Sequence, residues 1–345
     1  MRKLATLERI LEINPIEGAD VIVRATVKGW NVVTQLSNNF KPGDLVFYAE
    51  VDSFFPVIDK FEFLRKSSYR KQVDGSEGFR IRTIKLKNQI SQGLILPLSE
   101  IIDFIPAGTE LEEGLDVSEF VGITKYDDAI ATELSGIAKG NFPSRIHKTD
   151  ENRVQNCSRI LNKYKGTEAY VAEKVDGSSM TVYLMDDVFG VCTRNLDLER
   201  NEDNSLWKLA LSLGLEEKLR KIGSNIALQG EIYGESIQKN KLKKKGHHFA
   251  LFNVYNIDTE QYFNYEGLIG MAKLLKIETV PILTDSHIIS DSIQEYVEMS
   301  KIRSTICPEV WAEGIVIRPL TERSFTGERV SFKSINPNFL LKYEE

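Results

Sequence analysis

The residues best placed to do chemistry lie in Glu173-Lys174-Val175-Asp176-Gly177-Ser178. A lysine amine that has lost its proton is a nucleophile able to form a covalent intermediate. On a strand, alternate side chains share a face, so Lys174 and Asp176 point the same way. Gly177 lets the backbone turn or approach a ligand closely. Lys-x-Asp-Gly alone is a weak signal, expected by chance in roughly one chain in ten of this length. By itself it reads as a surface β-turn with a solvated lysine. It is followed, in order, by Thr193-Arg194-Asn195, Gly230-Glu231-Ile232-Tyr233-Gly234, Phe249-Ala250-Leu251-Phe252-Asn253-Val254, Glu313-Gly314-Ile315-Val316-Ile317-Arg318 and Ser331-Phe332-Lys333. Arg194 has the planar fork that matches phosphate oxygens. Glu231 and Glu313 are acceptor-only groups beside glycines on expected strands, and a charge leading into an apolar strand needs a partner if buried.

These residues need a scaffold, and 345 residues suffice for two domains at roughly 150 residues each. Apolar residues at 42% and charged residues at 27% exclude wholesale disorder, a collagen-like chain and a disulfide scaffold. No stretch reaches the roughly 18 apolar residues of a membrane helix, and the N-terminus turns charged too soon for a signal peptide. The expectation is a soluble, intracellular protein. Cys157, Cys192 and Cys307 form neither a zinc spacing nor a disulfide framework. The net charge of −6 argues against indiscriminate coating of nucleic acid but leaves room for a basic groove.

Residues 1 to about 120 read as short strands, among them Val21–Val27, Trp30–Val33, Leu45–Val51, Phe79–Lys87 and Gly93–Leu98, separated by Gly and Pro turns. A five-stranded oligonucleotide-binding (OB) barrel fits that length. Residues 121–148 read as a connector. Thr149 is expected to cap a helix from Asp150 to Tyr164 that carries Arg153. Strands then follow near 170–183, 188–194, 226–233, 248–257 and 312–318, with helices near 204–221, 265–276 and 290–302. This is an α+β pattern.

The ordered motifs resemble those of the covalent nucleotidyltransferase superfamily of ligases and capping enzymes. DNA ligases and capping enzymes carry an OB domain after the last lysine motif, whereas only a dozen residues follow Lys333 and the β-rich region comes first. That order, together with Arg82-Thr83-Ile84-Lys85-Leu86-Lys87, Gln89-Ile90-Ser91-Gln92-Gly93, Gly140-Asn141-Phe142-Pro143-Ser144 and the ending Phe339-Leu340-Leu341-Lys342, is similar to the Deinococcus/Naegleria-type ATP-dependent RNA ligases. The resemblance implies an OB-fold β-barrel over 1–120, the connector over 121–148, and a nucleotidyltransferase (ATP-grasp-like ligase) domain over 149–345, built of antiparallel sheets with flanking helices. It also implies a reaction: joining of 3′-hydroxyl and 5′-phosphate RNA ends, as in sealing of nicked duplexes, with ATP and Mg²⁺ or Mn²⁺ and no obligate protein partner.

By the same resemblance Lys174 takes AMP, and Lys333, Arg194, Glu231 and Glu313 complete the catalytic set. Glu173, Asp176, Gly177, Arg153 and Phe252 join Lys174, Glu231, Glu313 and Lys333 around the nucleotide, Phe252 stacking on adenine. Asp176, Glu231 and Glu313 hold the metal through water, because Mg²⁺ keeps several waters and uses few protein carboxylates. Arg194, Arg82, Lys85, Lys87, Lys243 and Lys244 are candidates for RNA contact, the last two in the cationic run Lys239–His248, an electrostatic footprint for a phosphate backbone. Lysine ordinarily titrates near 10.4, so an attacking Lys174 is expected to be pushed toward about 7 by nearby cations, a bound divalent metal foremost, with Lys333 as a second positive charge. Relatives often carry two lysines two residues apart in the last motif; here Ser331 and Ile335 flank Lys333 at that spacing, leaving one lysine aided by Arg329. The alternatives are a GTP-using capping-type enzyme and a nucleic-acid-binding protein with an inactive transferase domain.

Overall fold

A computed structural model describes residues 3–72, 75–126, 137–223 and 225–343. They fall into two compact units, one formed by residues up to 126 with 340–343, the other by 137–339.

The strands of the first unit are β1 (Ala5–Pro15), β2 (Ile22–Val27), β3 (Trp30–Gln35), β4 (Leu45–Ala49), β5 (Ser53–Pro56), β6 (Tyr69–Lys71), β7 (Glu77–Arg80), β8 (Thr83–Leu86), β9 (Gln89–Gln92), β10 (Leu94–Leu96) and β11 (Thr124–Lys125). A five-stranded sheet runs β10-β4-β1-β2-β3, with β10 returning beside β3, so the sheet nearly closes as the expected OB barrel does. A second sheet runs β11-β5-β7-β6. The long strand β1 serves two cores. Leu7 packs with Phe47, Phe55, Phe61 and Phe79, and Ile10 packs with Val27, Trp30, Tyr48 and Ile95. The unit runs past residue 120, because β11 pairs with β5. The single strand expected over Phe79–Lys87 ends at Arg80 and restarts at Thr83, as β8 forms a hairpin with β9. Its two turn residues, Lys87 and Asn88, are both left-handed (φ 46° and 65°), the geometry that suits a two-residue hairpin. Lys85 and Lys87 stand exposed on this hairpin, whereas Arg82 is partly buried and donates to the Ser67 carbonyl at 3.3 Å.

The second unit contains β12 (Ala138–Asn141), β13 (Asn152–Arg153), β14 (Glu168–Lys174), β15 (Ser178–Met185), β16 (Val188–Cys192), β17 (Leu196–Leu198), β18 (Ile226–Gly234), β19 (His247–Asn256), β20 (Gln261–Tyr262), β21 (Ile282–Ile288), β22 (Gly314–Pro319), β23 (Ser324–Phe325), β24 (Glu328–Arg329) and β25 (Phe332–Ile335). One sheet runs β12-β17-β16-β15-β18-β19-β20 and another β13-β25-β22-β14-β21. The strand expected near 170–183 is therefore two strands in two sheets, and Val175-Asp176-Gly177 is the crossing between them. Gly177 is required there: a Cβ would lie 2.3 Å from the Ile232 carbonyl oxygen. Helices Ser158–Tyr164 and Ile293–Met299 bring Leu161 and Tyr296 onto Val171, Ile317 and Phe332 of the smaller sheet. The helix expected near 204–221 is broken at Gly214 (φ 63°) into Ser205–Ser212 and Leu215–Ile222.

The segment expected as a helix from Asp150 instead forms strand β13, paired in parallel with β25, then a 3-10 turn over Val154–Asn156, and becomes α-helical only at Ser158. The Thr149 hydroxyl caps nothing; it lies 2.8 Å from the Ser179 hydroxyl. Residues 127–136 of the expected connector lie outside the described residues.

The sheet holding Glu231 depends on the bare backbone at Gly230, where a Cβ would sit 2.4 Å from the Phe249 ring and 2.6 Å from the Ala250 carbonyl oxygen. Gly230→Ala is expected to destabilise the protein by about 1–3 kcal/mol, as overpacking does. An unchanged denaturant midpoint would contradict this packing.

Candidate active site

Lys174 ends β14 opposite Gly314 of β22, and Glu313 immediately precedes that strand. This register brings the Lys174 Nζ to 2.6 Å from Glu313 Oε2, with only 24% and 20% of the two side chains exposed. Asp176, in the crossing, accepts from Lys241 Nζ at 2.9 Å. Glu231 lies on β18 opposite Ser179 and passes close to Gly177, where a Cβ would be 2.8 Å from the Glu231 Cγ. On the smaller sheet Arg153 of β13 is the lateral partner of Lys333 on β25. One strand crossing, its bare glycine and the pairing within each sheet thus gather Lys174, Asp176, Glu231, Glu313, Arg153 and Lys333 around one site.

The electrostatics push the two lysines in opposite directions. Burial favours loss of the Lys174 proton, but the charges of Glu313, Glu231 and Asp176 outweigh it and hold the ammonium above the ordinary lysine range. Lys333 is the lysine pushed down to about 7, by burial and then by the positive charges of Lys174 and Arg153. Burial also pushes Glu231 up to about 8, with Glu313 and Asp176 adding to it and Lys174 opposing. Asp176 rises to about 6 through burial and Glu313, against the pull of Lys241 and Lys174. Carboxylates crowded until they retain protons fit a divalent cation, which would replace those protons. Among the described residues no three His, Cys, Asp or Glu side chains are arranged to ligate one ion directly.

The other expected residues surround this centre at different depths. Phe252 sits at a bulge in β19: Gly230 pairs with Leu251 and Gln229 with Asn253, leaving Phe252 as the extra residue. The bulge leaves Phe252 partly buried while its neighbours Leu251 and Val254 are in the core. Arg194 reaches Asp150 with one nitrogen at 2.6 and 2.9 Å from the two carboxylate oxygens, in an exposed pair. Glu173 is buried and its carboxylate turns to the opposite sheet face from Lys174, accepting from Ser304 Oγ at 2.5 Å and the Thr305 amide at 2.7 Å. Lys243 is exposed and paired with Glu309, and Lys244 is partly buried. Arg329 is engaged elsewhere, bonded to Glu322 and Asn253 and lying 3.8 Å from the Tyr262 ring centroid.

Comparison with known proteins matches residues 4–98 to an OB-fold domain model and 167–335 to an RNA ligase model. Solved structures of Naegleria gruberi RNA ligase mutants, one with AMP and Mn and one with ATP and Mn, are each 38% identical, with a TM-score of 0.89 over 98% of this chain and 98% of theirs. The same enzyme with PPi is 38% identical at a TM-score of 0.89 over 100% of this chain and 99% of that one. No curated protein sequence matches. The chain belongs to the RNA ligase family.

In this RNA ligase, sequence reasoning missed the layer that braces the site. Arg318 closes the Glu313–Arg318 motif and is 3% exposed in its side chain. It donates to Glu151 at 2.7 Å, to Ser331 at 2.9 Å and to the Phe252 carbonyl at 2.8 Å. One guanidinium thus ties the Phe252 bulge to the segment carrying Asp150 and Arg153. The available signal was a charged residue ending the apolar run Ile315-Val316-Ile317, which calls for a buried partner. Lys241 gave no signal, being one of several lysines in a cationic run.

Burial alone would raise the Glu151 carboxyl, but Arg318 and Arg329 bring it down to about 2 from an ordinary 4.5. A depressed carboxyl contributes stability fully present above 4.5 and lost as pH falls toward about 2. The shift corresponds to about 3 kcal/mol. Glu151→Gln is expected to be less stable than wild type by about that amount at pH 7, with the gap closing as pH falls below about 4.5. Denaturant titrations at several pH values check this; a gap independent of pH would contradict it.

Proposed function

We propose that this RNA ligase uses ATP to join 3′-hydroxyl and 5′-phosphate RNA ends through a Lys174-linked AMP. The observation that carries the reading is the Lys174–Glu313 contact of 2.6 Å inside a cluster of three carboxylates flanked by Lys333 and Arg153. ATP as cosubstrate is supported by the ATP- and AMP-bound Naegleria enzyme.

The Lys174 ammonium gives its proton to Glu313, the acceptor it already contacts, and the freed amine attacks the α-phosphorus. A nitrogen–phosphorus bond forms, the bond to the bridging oxygen breaks, and pyrophosphate leaves with the second proton that the nitrogen must shed. Lys333, near neutrality because of its surroundings, takes up a proton as phosphate charge arrives and stabilises it. Arg153 stands beside it as a permanent cation. Mg²⁺ or Mn²⁺ held through water by Asp176, Glu231 and Glu313 would supply positive charge against both the carboxylates and the phosphate. Phe252, lifted from the core by its bulge and held by Arg318, offers its ring to the adenine. Gly177 keeps the floor of the site open, and Glu173 braces the wall through Ser304 and Thr305.

The 5′-phosphate of RNA then attacks the lysine-linked AMP, and the amine leaves. Arg194 binds that phosphate in place of Asp150, because its fork suits phosphate as well as carboxylate. The 3′-hydroxyl of the neighbouring strand displaces AMP and closes the phosphodiester. A nicked duplex with RNA on its 3′-hydroxyl side presents both ends together and is the proposed substrate. Lys85 and Lys87 on the exposed hairpin, with Arg82, Lys243 and Lys244, would follow the phosphate backbone.

Purified protein incubated with α-labelled ATP or GTP and Mg²⁺ or Mn²⁺, then denatured, tests the reading. ATP is expected to label wild type and leave Lys174→Ala unlabelled. Label from GTP would instead favour a capping-type reaction, and no label from either nucleotide would contradict the enzyme reading.

A further inference from the structure

The turn between β18 and β19 is built in an unusual way. Five of its residues that carry a Cβ are left-handed: Ser236, Gln238, Lys239, Asn240 and Lys243, with φ of 61°, 47°, 59°, 47° and 53°. Such conformations are uncommon outside glycine and persist only where the surroundings enforce them. Here Ile237 and Leu242 are driven into the core, at 2% and 4% exposure. The Asn240 side chain accepts from the Lys244 amide at 3.0 Å and donates to the Lys244 carbonyl at 2.9 Å. Gly234 and Gly246 close the base so tightly that a Cβ on Gly234 would lie 2.0 Å from the Gly246 oxygen.

What this rigid turn delivers is Lys241. In a run of cations that are otherwise mostly exposed, Lys241 meets an acid of the cluster: its Nζ is 2.9 Å from Asp176 Oδ2, and the two side chains are 14% and 11% exposed. Its amine also lies 5.4 Å from the Phe339 ring centroid. A lysine near the surface gains little from such a contact, whereas an enclosed one has given up water for it.

We propose that Lys241 is a positioning residue for nucleotide transfer, the second fixed cation of the acid cluster, acting through Asp176. The inference rests on the ATP-ligase reading and deepens it. Before transfer, the Lys174 ammonium faces the carboxylates. When its nitrogen bonds to phosphorus, two protons leave it in all, one to Glu313 before attack and one with the departing pyrophosphate, so the nitrogen no longer carries positive charge, and the AMP phosphate adds an anion. The cluster becomes more negative just as its central cation disappears. Lys241 takes no part in bond making and keeps its charge, so it supports the lysine-linked AMP more than it supports the free enzyme. Sealing of RNA that already carries AMP leaves Lys174 unmodified and needs Lys241 less.

Lys241→Met and Lys241→Arg are compared with wild type in two reactions: label transfer from ATP, and sealing of chemically pre-adenylylated nicked RNA. A charge-assisted contact of this kind corresponds to about 10- to 100-fold. Lys241→Met is expected to lose that much in label transfer, Lys241→Arg to recover most of it, and sealing of pre-adenylylated RNA to fall far less. Wild-type-like labelling of Lys241→Met, equal loss in both reactions, or Lys241→Arg no better than Lys241→Met would each overturn the proposal. An unlabelled wild type would overturn the ATP reading itself, and this inference with it.

Discussion

An ammonium ion enclosed by carboxylates is the constraint around which the second unit is built. Lys174 meets Glu313 at 2.6 Å, and Asp176 and Glu231 lie close enough to raise its proton affinity further. Opposite charges in a partly dry site attract strongly but cost desolvation, so they persist only where the backbone holds them. The backbone does this by sending one chain through both sheets. β14 carries Lys174 in the smaller sheet, three residues cross, and β15 pairs with the strand of Glu231 in the larger one. The crossing can be that short because Gly177 has no side chain.

Around this centre the charges are graded. Lys333 and Arg153 form a cationic edge on adjacent strands, and the crowding lowers Lys333 instead of Lys174. The two lysines therefore have different states in the resting enzyme: Lys174 protonated and held by acids, Lys333 near neutrality. The Glu151–Arg318 pair locks the Phe252 bulge to the β13 segment, so the two share one brace.

The sequence made the chemistry legible because covalent nucleotide transfer needs particular residue types in a fixed order. Lys174, Glu231 and Glu313 lie on or beside strands whose β-branched runs are plain to read, whereas the strand carrying Lys333, Phe332–Ile335, has no such run. The N-terminal barrel was legible for the same reason. What was not legible depends on contacts distant in sequence. Asp150–Arg153 carries helix-start signals, but lateral pairing with β25 makes it a strand. Residues 170–183 read as one strand despite the turn signal at Asp176-Gly177, and only the approach of Ile232 shows that Gly177 is a crossing between sheets. Glu173 alternates away from Lys174, yet its partners lie some 130 residues later. Lys241 is indistinguishable by type from the lysines around it; the left-handed turn that aims it is invisible to propensity.

The central claim is that Glu313 holds Lys174 protonated beyond the ordinary lysine range. Titration of the Lys174 side-chain resonances by NMR, in wild type and in Glu313→Gln, tests it most directly. The account predicts a wild-type midpoint above 10.5 and a lower one in the variant. A wild-type midpoint below the ordinary value, or one that Glu313→Gln leaves in place, would contradict it.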